Sequence, residues 1–394
     1  MRVLISGAGI AGPTLAWWLA RYGFTPTLVE AAPALRTGGY VIDFWGAGFE
    51  VAARMGLEAA IHGEGYQVRE VRVVGRDGRR IAGFDAAAFS RLAQRRFASL
   101  QRGDLAATIF AALEGRVETI FGDQIASIEA GPQKVSVGFE RGGRRTFDLV
   151  VGADGVHSCV RRLVFGDDAQ FEHYLGFKVA ALAIDGYRPR DELAYVMFTE
   201  VGRQVARFAM RGDRSMFLFS FKDEDPALPC TSEEQKATLR RQFGASGWEC
   251  PRILAALDSC SDLYFDRVSQ IRMSSEQGLW TRGRVTLLGD AASCVSLLAG
   301  QGSALAMVAA YILAGELKRA DGDYAAAFAR YQQRFGPFVR NKQKAALRFA
   351  DMFAPRSRFA LFIRNQVMNL MTIPWVASLA MGRDLADAIE LPHY

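Results

Sequence analysis

The first thirty residues restrict this chain more than any other part of it. Val3-Leu4-Ile5 is a continuous apolar run, the pattern of a strand buried on both faces. It leads directly into Gly7-Ala8-Gly9-Ile10-Ala11-Gly12. Pro13 suits the first turn of a helix. Leu15, Trp18, Leu19 and Tyr22 then recur at helical spacing, and Gly23 is placed to end that helix. A second apolar run, Thr25 to Val29, stops at Glu30. Strand, glycine turn, helix, strand and acid together specify a dinucleotide-binding unit. Gly7 permits the tight turn, Gly9 lets a pyrophosphate approach the backbone, and Gly12 lets the helix pack on the strand. The pyrophosphate lies on the helix N-terminus, where unpaired N–H groups and the dipole favour an anion. Glu30, 18 residues beyond Gly12, is near the usual spacing for an acid that accepts ribose hydroxyls. The fingerprint leaves open whether the dinucleotide is NAD(P) or FAD.

A chain of 394 residues has room for two joined lobes. Half of it is hydrophobic and 23% charged, which excludes a disordered or fibrous protein. The net charge of +6, spread over this length, gives no case for a nucleic-acid partner. Cys159, Cys230, Cys250, Cys260 and Cys294 are odd in number and scattered, as expected of free thiols in a reducing cytoplasm. His62, His157, His173 and His393 form no metal-ligand spacing, so no metal is expected. No run has the ~20 apolar residues of a membrane span, so no integral membrane association is expected.

Beyond Glu30, Glu70–Val74 and Arg79–Phe84 read as a hairpin around Gly75–Gly78, and Leu105–Leu113 as a helix. Lys134–Glu140 and Arg145–Val151 read as a second hairpin delivering Gly152-Ala153-Asp154-Gly155. Four strand-like runs follow: Phe177–Ile184, Glu192–Thr199, Arg203–Met210 and Arg214–Phe221. The last has apolar residues on both faces, so both are covered, one of them by a ligand or by the core. Arg284–Asp290 is a buried strand ending in Gly289-Asp290, and Ser303–Leu317 a buried helix. Helices continue from Tyr324, broken near Pro355 and Pro374. Cations between Arg334 and Arg364 are expected to face water.

Three glycine-bearing strand ends, Gly7–Gly12, Gly152–Gly155 and Gly289-Asp290, are suited to converge on one extended cofactor. With the arginine of LQRGDL, then GADGVHSCVRR and LLGDAASCVSLLAGQG, the chain resembles the class A flavoprotein monooxygenases, the para-hydroxybenzoate hydroxylase group. The GGYVIDFWG segment and the LADAIELPHY ending are most similar to the tetracycline-inactivating and polyketide-hydroxylating branches. The resemblance implies an α/β fold: a Rossmann-like FAD-binding domain with an inserted mixed β-sheet substrate domain and C-terminal helices. The expected boundaries are 1–75, 98–170 and 265–323 for FAD, 76–97 and 171–264 for substrate, and 324–394 for the helices.

The resemblance also implies roles. Gly7, Gly9 and Gly12 would cradle the FAD pyrophosphate, Glu30 the adenosine ribose, and Arg102 the phosphate and ribityl region. Asp154 and Gly155 belong to a motif tied to FAD and to transient NADPH or NADH. Gly289 and Asp290 would hold the ribityl hydroxyls, and Gly300, Gln301 and Gly302 the ring. Ser293 and Leu297 depart from a histidine and a proline frequent in relatives. The implied activity is NAD(P)H- and O2-dependent oxygenation of an aromatic or polyketide-like small molecule through a flavin C4a-hydroperoxide. Tyr195, Phe198, Phe208, Phe217 and Leu297 are the candidate substrate-lining residues. Asp43 either lines the active site or shapes a turn. No side chain is assigned as catalytic, since the cofactor carries the chemistry. A monomer or weak dimer is expected. An FAD-dependent halogenase is the alternative, though WxWxIP is absent; a catalytically silent, redox-sensing flavoprotein is another.

Overall fold

β1 (Arg2–Ser6) is buried beyond Arg2, turns through the glycine loop into α1 (Ala11–Arg21), and returns as β2 (Thr25–Glu30), parallel to it. The elements that follow are β3 (Val41–Trp45), α2 (Ala47–Arg54), α3 (Glu58–Glu64), β4 (Glu70–Val74), β5 (Arg80–Asp85), β6 (Phe97–Gln101) and α4 (Arg102–Ala111). Next come β7 (Glu118–Phe121), β8 (Ile125–Ala130), β9 (Val135–Phe139), β10 (Arg144–Phe147), β11 (Leu149–Gly152) and α5 (Cys159–Val164). The middle of the chain supplies β12 (Glu172–Asp185), β13 (Ala194–Glu200), β14 (Arg203–Met210), β15 (Arg214–Lys222), α6 (Ser232–Phe243), α7 (Cys250–Ala255) and β16 (Tyr264–Ile271). The last part holds β17 (Thr281–Arg282), β18 (Val285–Leu287), α8 (Asp290–Ser293), α9 (Gly302–Arg319), α10 (Tyr324–Phe353) and α11 (Arg358–Leu370). The computed structural model describes residues 1–36, 38–85, 96–260, 262–274, 279–297, 300–353, 355–371 and 389–394. The break expected at Pro374, and part of the expected 76–97 segment, lie outside the described residues.

The first lobe is built on a six-stranded sheet in the order β17-β18-β11-β1-β2-β7, parallel apart from the β17–β18 pair. Its strands are near-continuous Val, Leu and Ile because helices cover them. α9 packs on this lobe, and residues 305–317 of it are all buried, in keeping with a sequence apolar on every side except at Glu316. The second lobe is a seven-stranded sheet, β16-β12-β15-β14-β13-β4-β5, antiparallel except where β13 meets β4. β4 and β16 therefore belong to the second sheet, although residues 1–75 and 265–323 were expected in the FAD lobe. The run Arg145–Val151, expected as one strand, is divided at Asp148 between two sheets. Asp148 explains the break: its carboxylate accepts the backbone N–H of Arg2 at 2.6 Å, pinning the crossover to β1.

The second sheet has two covered faces. Phe198, Phe217, Phe219 and Phe221 pack with Leu239 and Phe243 of α6 and Ile253 of α7. Thr231 starts α6 with a full capping box, its side chain bonding the Glu234 N–H while Glu234 reaches back. On the opposite face Tyr195, Phe208, Met210 and Met216 cluster with Tyr66 and Tyr40 of the first lobe.

One cation in the basic stretch, Arg364, departs from the expected solvated face, while Arg334 stays exposed and still reaches an interior acid. Arg334 Nε pairs with Glu316 at 2.8 Å, a fully buried carboxylate that also takes Arg330 Nε at 2.8 Å and the Tyr394 hydroxyl at 2.8 Å. Arg364 is buried under α11 and donates to the Thr199 hydroxyl at 3.1 Å. Desolvating charge is costly, so carboxylates and cations inside a helical layer meet partners.

Truncation of Phe219, which is fully buried and 5.0 Å ring to ring from Phe243, is expected to cost about 3–5 kcal/mol in urea denaturation. Phe359→Ala, at a position 73% exposed, is expected to change stability by less than about 0.5 kcal/mol in the same assay.

Candidate active site at the strand ends

Four neighbouring parallel strands, β2, β1, β11 and β18, end at Glu30, Gly7, Ala153-Asp154 and Gly289-Asp290. Their ends are tied together by backbone bonds: Gly7 N to Val29 O at 2.7 Å, Ala153 N to Ser6 O at 2.8 Å, and Leu288 N to Gly152 O at 2.8 Å. Gly7 has φ +104°, and a Cβ there would lie 2.5 Å from Ala153 O, so the turn closes only with glycine. A Cβ on Gly12 would overlap Gly7 O, which is how closely α1 approaches the turn. Gly9 looks outward, its nearest neighbour being the Arg102 guanidinium, 3.6 Å from where a Cβ would stand.

The sequence-expected acids are brought to one edge but do different work there. Glu30 accepts the Ala8 N–H at 2.8 Å and the Ala32 N–H at 3.0 Å, so it sits against the glycine loop. Asp290 is enclosed between Arg102 and α9; a Cβ on Gly302 would stand 3.7 Å from its Oδ1. Burial pushes the Asp290 pKa up, while Arg102 pulls it down. Asp154 differs from the expectation of a cofactor-facing carboxylate. Its oxygens accept the Ser158 hydroxyl at 2.5 Å and the Val160 N–H at 3.1 Å, with Ser6 Oγ at 3.4 Å. Those bonds fold the loop on itself and hold it to β1. Gly155, with φ +81° and open space at its Cα, remains at the loop surface.

Two residues that sequence reasoning missed complete the edge. Gln101 ends β6, a strand buried at every position, and its Nε2 is buried with no acceptor among the described residues. A long amide side chain closing a strand with no other large polar residue was the signal. Arg161 is fully buried, binds Asp168, and donates to Ala291 O at 3.0 Å and to Val156 O. It therefore fixes the GADG loop to α8.

Phe198 and Phe217 do not line this site. They point into the α6–α7 layer. Side chains alternate along a strand, so Tyr195 and Phe198 cannot share a face. Tyr195 and Phe208 do face the first lobe, their rings 4.7 Å apart. Leu297 packs with Phe177, Val179 and Val268 where the second sheet meets the loop. Asp43 lies within β3 and not in a turn, opposite Ser99 of β6. Ser293 is buried, its N–H bonded to Gly289 O at 2.9 Å. Gly300 has φ +64°.

The edge fits FAD. Neither α1, preceded by Ile10, nor α9, preceded by Gln301, has a side-chain N-cap, so both present first-turn N–H groups to a ligand. The Gln101 amide nitrogen lacks an acceptor among the described residues, Arg102 supplies positive charge between the two helices, and Glu30 and Asp290 can accept sugar hydroxyls. Such a cradle defines a dinucleotide-binding flavoprotein.

The comparisons give the same class. Residues 1–327 match the model of the FAD binding domain family, and the chain belongs to that family. A flavin-dependent monooxygenase from an unknown prokaryotic organism is 34% identical over 396 residues, covering 100% of this chain and 99% of the relative. Another, from Legionella longbeachae, is 32% identical over 404 residues, covering 100% and 98%. The crystal structure of tetracycline destructase Tet(55) aligns with a TM-score of 0.84 and 32% identity, covering 100% of this chain and 98% of that one. This chain is an FAD-dependent monooxygenase. No described helix is long and apolar enough to cross a membrane.

His157, in the GADG loop, has its Nε2 3.7 Å from Asp266 Oδ1 on β16, linking the two lobes. Asp266 raises the His157 pKa above its ordinary 6.5, and partial burial opposes it. A cation whose pKa rises on folding contributes stability that is full below about 6.5 and is lost as pH climbs through the raised value. The melting-temperature difference between wild type and His157→Gln is therefore expected to be largest below pH ~6.5 and to vanish at alkaline pH. A difference that grows with pH would contradict the pairing.

Proposed function

We propose that this monooxygenase oxygenates a flat, fused-ring, polyketide-like molecule of the tetracycline kind, with NADPH or NADH as transient reductant. Bound FAD supplies electron transfer from the nicotinamide and activation of dioxygen. The chain's own residues do the rest. Gly7, Gly9 and the α1 N-terminus receive the pyrophosphate, and Glu30 the adenosine ribose. Arg102 and Gln101 reach the phosphate and ribityl chain, and Asp290 accepts its hydroxyls. Gly300, Gln301 and Gly302 meet the ring, where the α9 dipole favours negative charge. Gly289 lets Asp290 turn toward the cofactor, and Asp154 acts at one remove by shaping its loop.

The substrate lies between that ring and the first-lobe face of the second sheet. Tyr195, Phe208, Met210 and Met216 give this face its apolar, aromatic character, with Leu297 at one margin. Aromatic and thioether side chains suit a broad unsaturated ligand and exclude water from the reacting carbon. The observation that carries the reading is this face, set opposite the four strand ends in a chain alignable end to end with a tetracycline destructase. The cysteines among the described residues are free, in keeping with a reducing cytoplasm.

Purified protein is expected to be yellow and to oxidise NAD(P)H with oxygen uptake when given tetracyclines. Mass spectrometry then finds products heavier by one oxygen. Oxidation yielding only peroxide across tetracyclines and related polyketides would overturn the substrate class and leave the flavin assignment intact. Arg102→Ala and Asp290→Ala are each expected to weaken FAD binding on the order of 10–100-fold by fluorescence titration, from lost charge-assisted bonds.

A further inference from the structure

One half-buried carboxylate has no place in the cradle described above. Asp43 lies on β3 and lines a pocket with Trp45, Gln301, Leu305, Val308 and Phe338. Its two hydrogen bonds fall on one oxygen: Oδ1 accepts the Ser99 hydroxyl at 2.5 Å and the Tyr195 hydroxyl at 3.1 Å. Oδ2 has neither. The donors come from the two strands beside it, Ser99 from β6 and Tyr195 from the second sheet, so the carboxyl bridges the lobes.

The surroundings favour its uncharged form. Among the described residues no lysine or arginine lines the pocket. On the packed elements, Lys342 of α10 places its ammonium over the Trp45 ring at 5.8 Å. Burial raises the Asp43 pKa, and the Ser99 and Tyr195 bonds oppose it only in part. Tyr195 is likewise held as a phenol by burial and by Asp43. With Oδ1 occupied as a double acceptor, the proton of a neutral acid resides on Oδ2.

The geometry points to Asp43 as a neutral hydrogen-bond donor, through Oδ2, to the carbonyl edge of the flavin ring. This rests on the flavin reading, because Gln301, which shares the pocket, immediately precedes the N-terminus of α9. That helix start presents further N–H donors with no side-chain cap. An acceptor-rich planar edge is the chemistry that matches donors converging from a strand and a helix N-terminus. Asp43 then also couples the cofactor to the substrate face, since Tyr195 belongs to both its hydrogen-bond set and the aromatic cluster.

The test is an equilibrium redox titration of FAD bound to wild type, Asp43→Asn and Asp43→Leu. Asparagine reproduces a neutral acid: its carbonyl accepts from Ser99 and Tyr195, and its amide donates in place of Oδ2. The ratio of affinities for reduced and oxidised FAD is therefore expected to stay within about twofold of wild type in Asp43→Asn. It is expected to fall about tenfold in Asp43→Leu, the loss of one hydrogen bond to a polarised carbonyl. For a two-electron couple that is ~30 mV more negative. Infrared difference spectra of wild type against Asp43→Asn should show the carbonyl band of a protonated carboxyl, readable without FAD should the leucine variant fail to fold. A potential shifted positive in Asp43→Asn would mean that a negative charge had been removed, and overturns the proposal. So does absence of the protonated band. Wild type that holds FAD while both variants are silent overturns the Asp43 contact alone; wild type that takes up no FAD overturns the flavin reading itself.

Discussion

Parallel pairing of β2, β1, β11 and β18 is the constraint on which the rest of the molecule depends. Each of these strands ends at the same edge, so residues from positions 7, 30, 154 and 290 become neighbours without any contact close in sequence. The pairing is tight because Gly7 has no Cβ to hold it away from Ala153. Helices α1 and α9 then begin where the strands stop, and their uncapped first turns leave donors that only a ligand or water can satisfy. The edge is a site because its backbone is incomplete without an anion and an acceptor-rich ring.

Around that edge the fold uses buried charge as fastening. Arg161 joins the GADG loop to α8, and Glu316 gathers Arg330, Arg334 and Tyr394 about α9. Both lie in low-dielectric surroundings, where leaving either partner alone would be strongly destabilising. α9 is thereby held at its C-terminal half, while its N-terminus is free to face the cofactor. Rigidity at one end of the helix supports orientation at the other.

The second sheet divides its aromatics between two faces by strand alternation. Its Phe198, Phe217, Phe219 and Phe221 consolidate the α6–α7 layer, while Tyr195 and Phe208 face the first lobe. The lobes meet through polar contacts as well as apolar ones: Asp43 with Tyr195, and His157 with Asp266. On the proposed reading, substrate selection and cofactor positioning share residues at this seam.

The linear chain by itself determined the βαβ unit, the glycine-bearing strand ends, the hairpin at 70–84 and the long buried helix, since local periodicity and turn chemistry act over a few residues. Its four motifs in order also determined the flavoprotein class. Tertiary structure alone decided the rest. Asp154 turns inward, where its carboxylate takes the Ser158 hydroxyl and the Val160 N–H of its own loop. Phe198 and Phe217 point away because the helices that cover them come from another part of the chain. Gln101, Arg161 and Asp43 gain their significance from partners, or from the lack of one, across the fold. A sequence specifies which side chains have polar atoms; only packing specifies which of those atoms are dehydrated and what remains within reach of them.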